Sequence, residues 1–179
     1  GSSAFLFQGQ YSNKRSQPLI VDWFAIVFQG QKPGEILSFE ELRDCTGLGS
    51  APSNPTGSLS EDQRLHLEAL RGPAAEAAGR HMDKLRQQRA GDLSTNLKDN
   101  MRALKSWSDA RIAVVEQSTL TKTAEGSATV NARRVKEANR EIEQTEQLLK
   151  ERKEWVTNGL TTIPAPYLRL AAVFTSTAL

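Results

Sequence analysis

The chain has one cysteine, Cys45, in 179 residues, so no disulfide within it is possible. A catalytic thiol would need a positioned base, and the only histidines are His66 and His81, neither with a metal-like companion in sequence. Cys45 lies in LRDCTGLG, a short helical stretch, and reads as a small buried residue. No run approaches the roughly 18 apolar residues of a membrane span, and no signal-peptide pattern is present. Aromatic residues make up only 6% and net charge is only +2, from 23 basic and 21 acidic residues. The first value fits an elongated helical protein with a small core. The second removes any global electrostatic case for nucleic acid. Neither a GxxxxGK[ST] phosphate loop nor an acidic Mg²⁺-binding box occurs, and GQKPGE (residues 30–35) reads as a turn. The chain opens on Gly-Ser-Ser, as a piece expressed from something longer would, and a reducing, cytoplasmic setting is the default expectation.

No proline occurs between Pro73 and Pro164. Pro73 suits a first helical turn, where its missing N–H costs nothing. From there Ala78, Met82, Leu85, Leu93, Leu97, Met101, Leu104, Ile112 and Val115 recur at steps of three, four or their sums, which is one helical stripe. Gly79 and Gly91 each cost about 1 kcal/mol against alanine and mark places to fray or bend. Thr119 to Thr129 turns small and polar and reads as a loop. A second helix follows, with Val135, Ile142, Leu149 and Val156 seven apart and Leu148 and Trp155 flanking that row. Two charged helices with narrow stripes bury them best against each other, as an antiparallel hairpin. The second would be roughly 40 Å long at 1.5 Å per residue. The first is longer, so its excess must pack elsewhere, against the N-terminal part.

That part offers two strands, Phe5 to Gln10 and Leu19 to Gln29, joined by the polar YSNKRSQP. The second strand is apolar on both faces from Trp23 to Phe28 and should be a central, well-covered strand. Ser38 and Glu41 form a capping box for a short helix ending near Gly47. Residues 49–58 have linker composition. Ser60, with Glu61 and Asp62 behind it, can start a further helix, which either stops at Gly72-Pro73 or runs on with a kink. After a breaker at Asn158-Gly159, the stretch Tyr167 to Phe174 reads as a strand that cannot stay unpaired. The N-terminal strands are its available partners. The expected fold is α+β: a small mixed sheet from both chain ends and a long, protruding, coiled-coil-like antiparallel helical hairpin. The expected segments are 5–47 (hairpin and short helix), 60–158 (helical) and 160–179 (returning strand).

The basic residues gather at Arg80, Lys84, Arg86 and Arg89 and at Arg133, Arg134, Lys136 and Arg140, with acids close by in each cluster. Lys14 and Arg15 sit in the hairpin loop, and Lys150, Arg152 and Lys153 end the second helix. A solvated helix face is the plain reading of such runs, and phosphate contact the functional one. Arg133-Arg134 opens a helix, where the macrodipole disfavours cations, and is the best hint of a contact role. The candidate nucleic-acid residues are therefore Arg133, Arg134, Lys136, Arg140, Lys14 and Arg15. Trp23 and Trp155 read as core; Trp107 faces either the sheet or solvent.

The layout AEAAGRHMDKLRQQRAGDL, a helix ending in LLKERKEWV, and the terminal strand YLRLAAVF, preceded by the hairpin FLFQGQ to LIVDWFAIVFQ, resembles the C-terminal region of bacterial Swi/Snf-type ATPases of the RapA kind. It also looks like the same region of related helicase-like proteins, some from phage-defence systems. The resemblance implies a large parent ATPase that moves on duplex DNA, with this chain as its C-terminal accessory domain. It implies the parent's motor lobes or RNA polymerase as partners, and no cofactor or catalytic residue in this piece. A positioning arm that contacts protein, an arm that contacts nucleic acid, and a freestanding enzyme are the three readings, in that order.

Overall fold

A computed structural model describes residues 2–47, 59–124 and 126–175. The elements in order are β1 (Ser2–Ser12), β2 (Pro18–Gln29), β3 (Lys32–Ser38), α1 (Phe39–Thr46), α2 (Glu61–Thr123), α3 (Ala128–Leu160) and β4 (Tyr167–Thr175). The fold is α+β, and the strand after the helices does return to the N-terminal strands. The linker expected at 49–58 lies outside the described residues. The chain divides into two compact units, one of residues 1–90 and 162–179, the other of residues 91–161. The division falls inside α2, at Gly91.

In the first unit the sheet order is β3-β2-β1-β4. All three ladders are antiparallel, where a mixed sheet was expected. Antiparallel pairing tolerates one well-covered and one half-solvated face, and this sheet has both. Phe5, Phe7 and Tyr11 of β1 and Ile20, Phe24, Ile26 and Phe28 of β2 alternate onto one face. There they meet Leu70, Ala74, Ala77, Ala78 and Met82 of α2. The alanines let the helix approach closely. Gly9 stands directly under Met82, and a strand glycine often marks such an approach. On the opposite face Leu6 and Ala25 are buried against Leu42 of the short helix α1.

Three local expectations change. β3 occupies most of the stretch read as a turn; only Gly30 and Gln31 turn, Gly30 at φ 67°. Pro33 is tolerated because β3 is an edge strand, where a missing N–H removes no ladder bond. Pro73 lies well inside α2 rather than in its first turn. The helix starts at Ser60, whose Oγ accepts from Gln63 N (3.2 Å) while Ser60 N donates to Gln63 Oε1 (3.0 Å). An interior proline costs about 3 kcal/mol; burial of Leu70, Ala74 and Ala77 on either side of it offsets that. Cys45 is exposed, not buried, because α1 is one short amphipathic piece that buries Leu42 alone. Its capping box is present as expected, with Ser38 N donating to Glu41 at 2.7 Å and Gly47 in the left-handed region closing it. These bonds hold the Glu41 carboxyl below its usual range.

In the second unit the later part of α2 and α3 run antiparallel. Lys122 meets Arg134, Arg111 meets Glu141 at 3.5 Å, and the Arg152 guanidinium lies 4.7 Å over the Trp107 ring. The seam is narrow: Ser108, Val115 and Thr145 are its buried residues. The connection is much shorter than the loop expected from Thr119 to Thr129, since α2 ends at Thr123 and α3 starts at Ala128. The threonines stay helical, and the hydroxyls of Thr119, Thr121 and Thr123 find partners within the helix by donating back to the carbonyls of Val115, Gln117 and Thr119. The expected stop at Asn158-Gly159 is passed by a turn fraction, to Leu160. No helix of the described residues is long and apolar enough to cross a membrane.

Candidate functional site

Chemistry-bearing side chains in the first unit gather where α2 crosses the sheet. His81 Nε2 stands 2.8 Å from Asp22 Oδ2, with its ring 4.2 Å from that of Phe24. Tyr11 donates to Asp83 Oδ1 at 2.5 Å. Arg86 lies 4.9 Å over the Tyr11 ring, 3.5 Å from Asp83, and donates to the carbonyl of Pro164 at 3.1 Å. Burial, reinforced by the bond to Asp83, pushes the Tyr11 phenol up to about 12. The phenol therefore remains a donor at any ordinary pH. This is a closed seam: each group is answered by another, and together they fix the register of α2 on the sheet. Sequence spacing gave His81 no partner, because Asp22 is brought to it only by the packing of β2 under α2. Among the described residues, no three His, Cys, Asp or Glu side chains stand close enough to hold a metal ion.

The six basic residues singled out from the sequence are divided between the two units. Lys14 and Arg15 occupy the turn between β1 and β2, both exposed. Asn13 organises that turn, its Oδ1 accepting from Arg15 N (2.8 Å) and Gln17 N (2.9 Å). The other four lie on α3 in the second unit. Arg133, Lys136 and Arg140 share an exposed face, at spacings of three and four. Arg134 turns the other way and donates to the Lys122 carbonyl at the end of α2. Asn131 Nδ2 donates to the carbonyls of Thr123 (2.9 Å) and Gly126 (3.0 Å) beside it. A cation at a helix C-terminus is favoured by the macrodipole. The hairpin thus explains an arginine at the start of α3: Arg134 serves the end of α2. Acids interrupt the remaining row, with Arg133 Nε 3.0 Å from Glu137 and Arg140 bordering a shallow groove beside Glu143 and Glu151.

Two apolar surfaces escaped the sequence reading. In the second unit, Leu104, Leu148, Glu151, Arg152, Trp155 and Val156 line a groove of about 420 Å³. Trp155, expected in the core, is 59% exposed. The signal was present: Leu148 and Trp155 stand seven apart and flank the seam instead of lying in it. In the first unit, Trp23 was also expected in the core and is 40% exposed on the half-covered sheet face. Its ring meets Phe39 edge-on at 6.3 Å, and the two border a groove of about 400 Å³ with Val21, Asp22 and Glu40. Comparison of the chain with protein-family models, curated proteins and solved structures finds no match.

Proposed function

We propose that this chain is a non-catalytic interaction and positioning module, the accessory C-terminal domain of a DNA-dependent Swi/Snf-type ATPase or helicase working in the cytoplasm. Its helical pair docks a protein partner, either the parent's motor lobes or RNA polymerase. The observation that carries this reading is the groove at Leu104, Leu148, Trp155 and Val156. It offers an apolar floor between two helices, one exposed tryptophan, and an acid and a base, Glu151 and Arg152, at its rim. Helix-in-groove recognition uses such surfaces, and tryptophan is enriched among the residues that dominate binding energy. The parent's identity rests on the layout resemblance alone.

The second reading is a nucleic-acid-contacting arm, favoured by the exposed row Arg133, Lys136 and Arg140. One experiment separates the two. The fluorescently labelled chain is titrated with RNA polymerase core enzyme, with the motor lobes of a RapA-like ATPase, and with duplex DNA across a salt series. The expected result is saturable binding to one of the two proteins, weakened about thirtyfold by Trp155→Glu, as loss of an interface hot spot implies. Binding to duplex DNA alone, falling steeply with salt and lost when Arg133, Lys136 and Arg140 become glutamine, would replace the protein arm with the nucleic-acid arm.

A further inference from the structure

The half-covered sheet face in the first unit is built in rows. β1 pairs Gln8 with Trp23 of β2 on one side and with Arg169 of β4 on the other. The next row on that face pairs Gln10 with Val21 and with Tyr167. Helix α1 covers the sheet beyond these rows, around Leu6 and Ala25, and reaches the first row only through Phe39, edge-on to Trp23. Trp23 and Tyr167 are both large, aromatic and substantially solvent-exposed, Tyr167 at 58%. They lie two strands across and two residues along from each other, about 12 Å apart at ordinary sheet spacings. Gln10 donates to Ser12 Oγ at 2.6 Å along the same face. Lys14 is exposed in the turn that follows β1.

The composition of this face selects its occupant. A docked protein helix would need a continuous apolar stripe, whereas here each row runs from an apolar or aromatic residue through an amide to a cation or a second ring. Rings offer faces on which any base can stack, and glutamine amides carry both donors and acceptors for base edges. Arg169 and Lys14 supply charge for phosphates. Two acids, Asp22 and Glu40, also line the groove beside Trp23 and Phe39. Asp22 alternates to the other face and is held by His81. Duplex bases are already stacked inside the helix, so a platform of exposed rings suits an unpaired strand.

We infer that the outer face of this sheet binds single-stranded nucleic acid. Trp23 and Tyr167 stack two different bases of one strand, Gln8 and Gln10 meet base edges between them, and Arg169 and Lys14 contact the backbone. This site is independent of the docking groove on the helical pair.

The test titrates the full chain into fluorescein-labelled oligothymidylate, oligouridylate and a blunt duplex, each of about ten nucleotides, across a salt series. Single strands are expected to bind at low salt, with the duplex at least about tenfold weaker. Trp23→Val and Tyr167→Thr, both keeping strand-favouring residues, should each weaken binding about tenfold. Trp23→Phe should restore it. Arg169→Gln should flatten the salt slope by about 0.7. Tyr167→Thr and Arg169→Gln alter exposed side chains, so a folding defect in the Trp23 variant does not decide the matter. Trp155→Glu should leave strand binding unchanged while weakening protein docking about thirtyfold, which separates failure of one site from failure of the other. A tighter complex with either oligonucleotide identifies the strand as DNA or RNA. The inference is overturned by absence of single-strand binding at the lowest salt. It is equally overturned if the Trp23→Val/Tyr167→Thr double variant binds unchanged, or if the duplex binds as tightly as the single strands.

Discussion

Gly9 leaves no room for even a methyl group. A Cβ built on it would fall against Met82 Sδ, with Cγ at 2.7 Å and Cε at 3.1 Å. Carbon atoms in ordinary contact stand about 3.5–4.0 Å apart, so Met82 would have to retreat by roughly 1 Å. It has little space to do so, being fully buried among Phe24, Ala78 and the other residues of the first unit's core. Overpacking of this kind costs about 1–3 kcal/mol. The conformational entropy that alanine saves over glycine returns about 0.5–1 kcal/mol, and a flexible methionine chain absorbs part of the clash. The net expectation for Gly9→Ala is a destabilisation of about 1–2 kcal/mol. Met82→Ala should cost more, about 2–5 kcal/mol, through the cavity it leaves. In the double variant the new methyl enters that cavity, so the combined loss should fall short of the sum by about 1–2 kcal/mol. Amide hydrogen exchange at the centre of β1 is the appropriate assay. It reads the unit that holds both residues, without requiring the whole chain to unfold in one step. Strict additivity, or a neutral Gly9→Ala, would refute the close approach of α2 to the sheet at this point.

The raised pKa of Tyr11 has a direct optical consequence. Its stabilising donation to Asp83 is complete below pH 10 and is lost as pH rises towards about 12. A difference phenolate titration between the wild type and Tyr11→Phe should show that midpoint near 12, and a midpoint near the ordinary value of about 10 would sink the buried-donor account. At the tip of the helical pair, Arg134→Ala should lower stability by about 1 kcal/mol through loss of the bond and charge at the end of α2. Arg133→Ala, which removes only an exposed i,i+4 ion pair, should change it by less than about 0.5 kcal/mol. Thermal melts that rank the two variants equally would show that the arginine at 134 is not a cap.

Local chemistry was legible in the sequence wherever the partners lie within one turn of chain. The Ser38–Glu41 box is the plainest case, since both ends of each bond are written three residues apart. The return of β4 to β1 was legible for a different reason: an apolar strand without neighbours has nowhere else to go. What failed was anything set by coverage. Trp23 sits in an apolar run that reads as central, and β2 is indeed central within its sheet. Its outer face, however, is screened only by the short helix α1, which stops before Trp23 is enclosed. Pro33 and Gly34 mark a turn in most settings but pass in an edge strand, and whether a strand is an edge depends on partners elsewhere in the chain. Thr119 to Thr123 looked unlike helix because the stretch is small and polar, yet its hydroxyls find partners within the helix, at carbonyls four residues earlier. Among the candidate basic residues, the pair Arg133-Arg134 stood out for its unfavourable position at the start of α3, and the two arginines differ. The actual position of Arg134 is defined by α2, which no reading of α3 alone could supply.

The pairing of Ala4 with Phe174 has a consequence for how the chain is made. β1 leaves the ribosome before the helices and can fold at once with β2 and β3, since those ladders join neighbours in sequence. β4 is synthesised only after both long helices. For that interval one side of β1 is an open edge carrying Phe5, Leu6 and Phe7, a template for pairing with any other extended chain. Prior folding of the helical pair does not cover that edge, but it shortens the stretch of free chain whose ends must be brought together, at a saving of about 0.6 kcal/mol for each halving. Speed of synthesis through the helices therefore sets how long the nascent sheet is vulnerable, and a ribosome stalled before Tyr167 would display a sticky three-stranded intermediate.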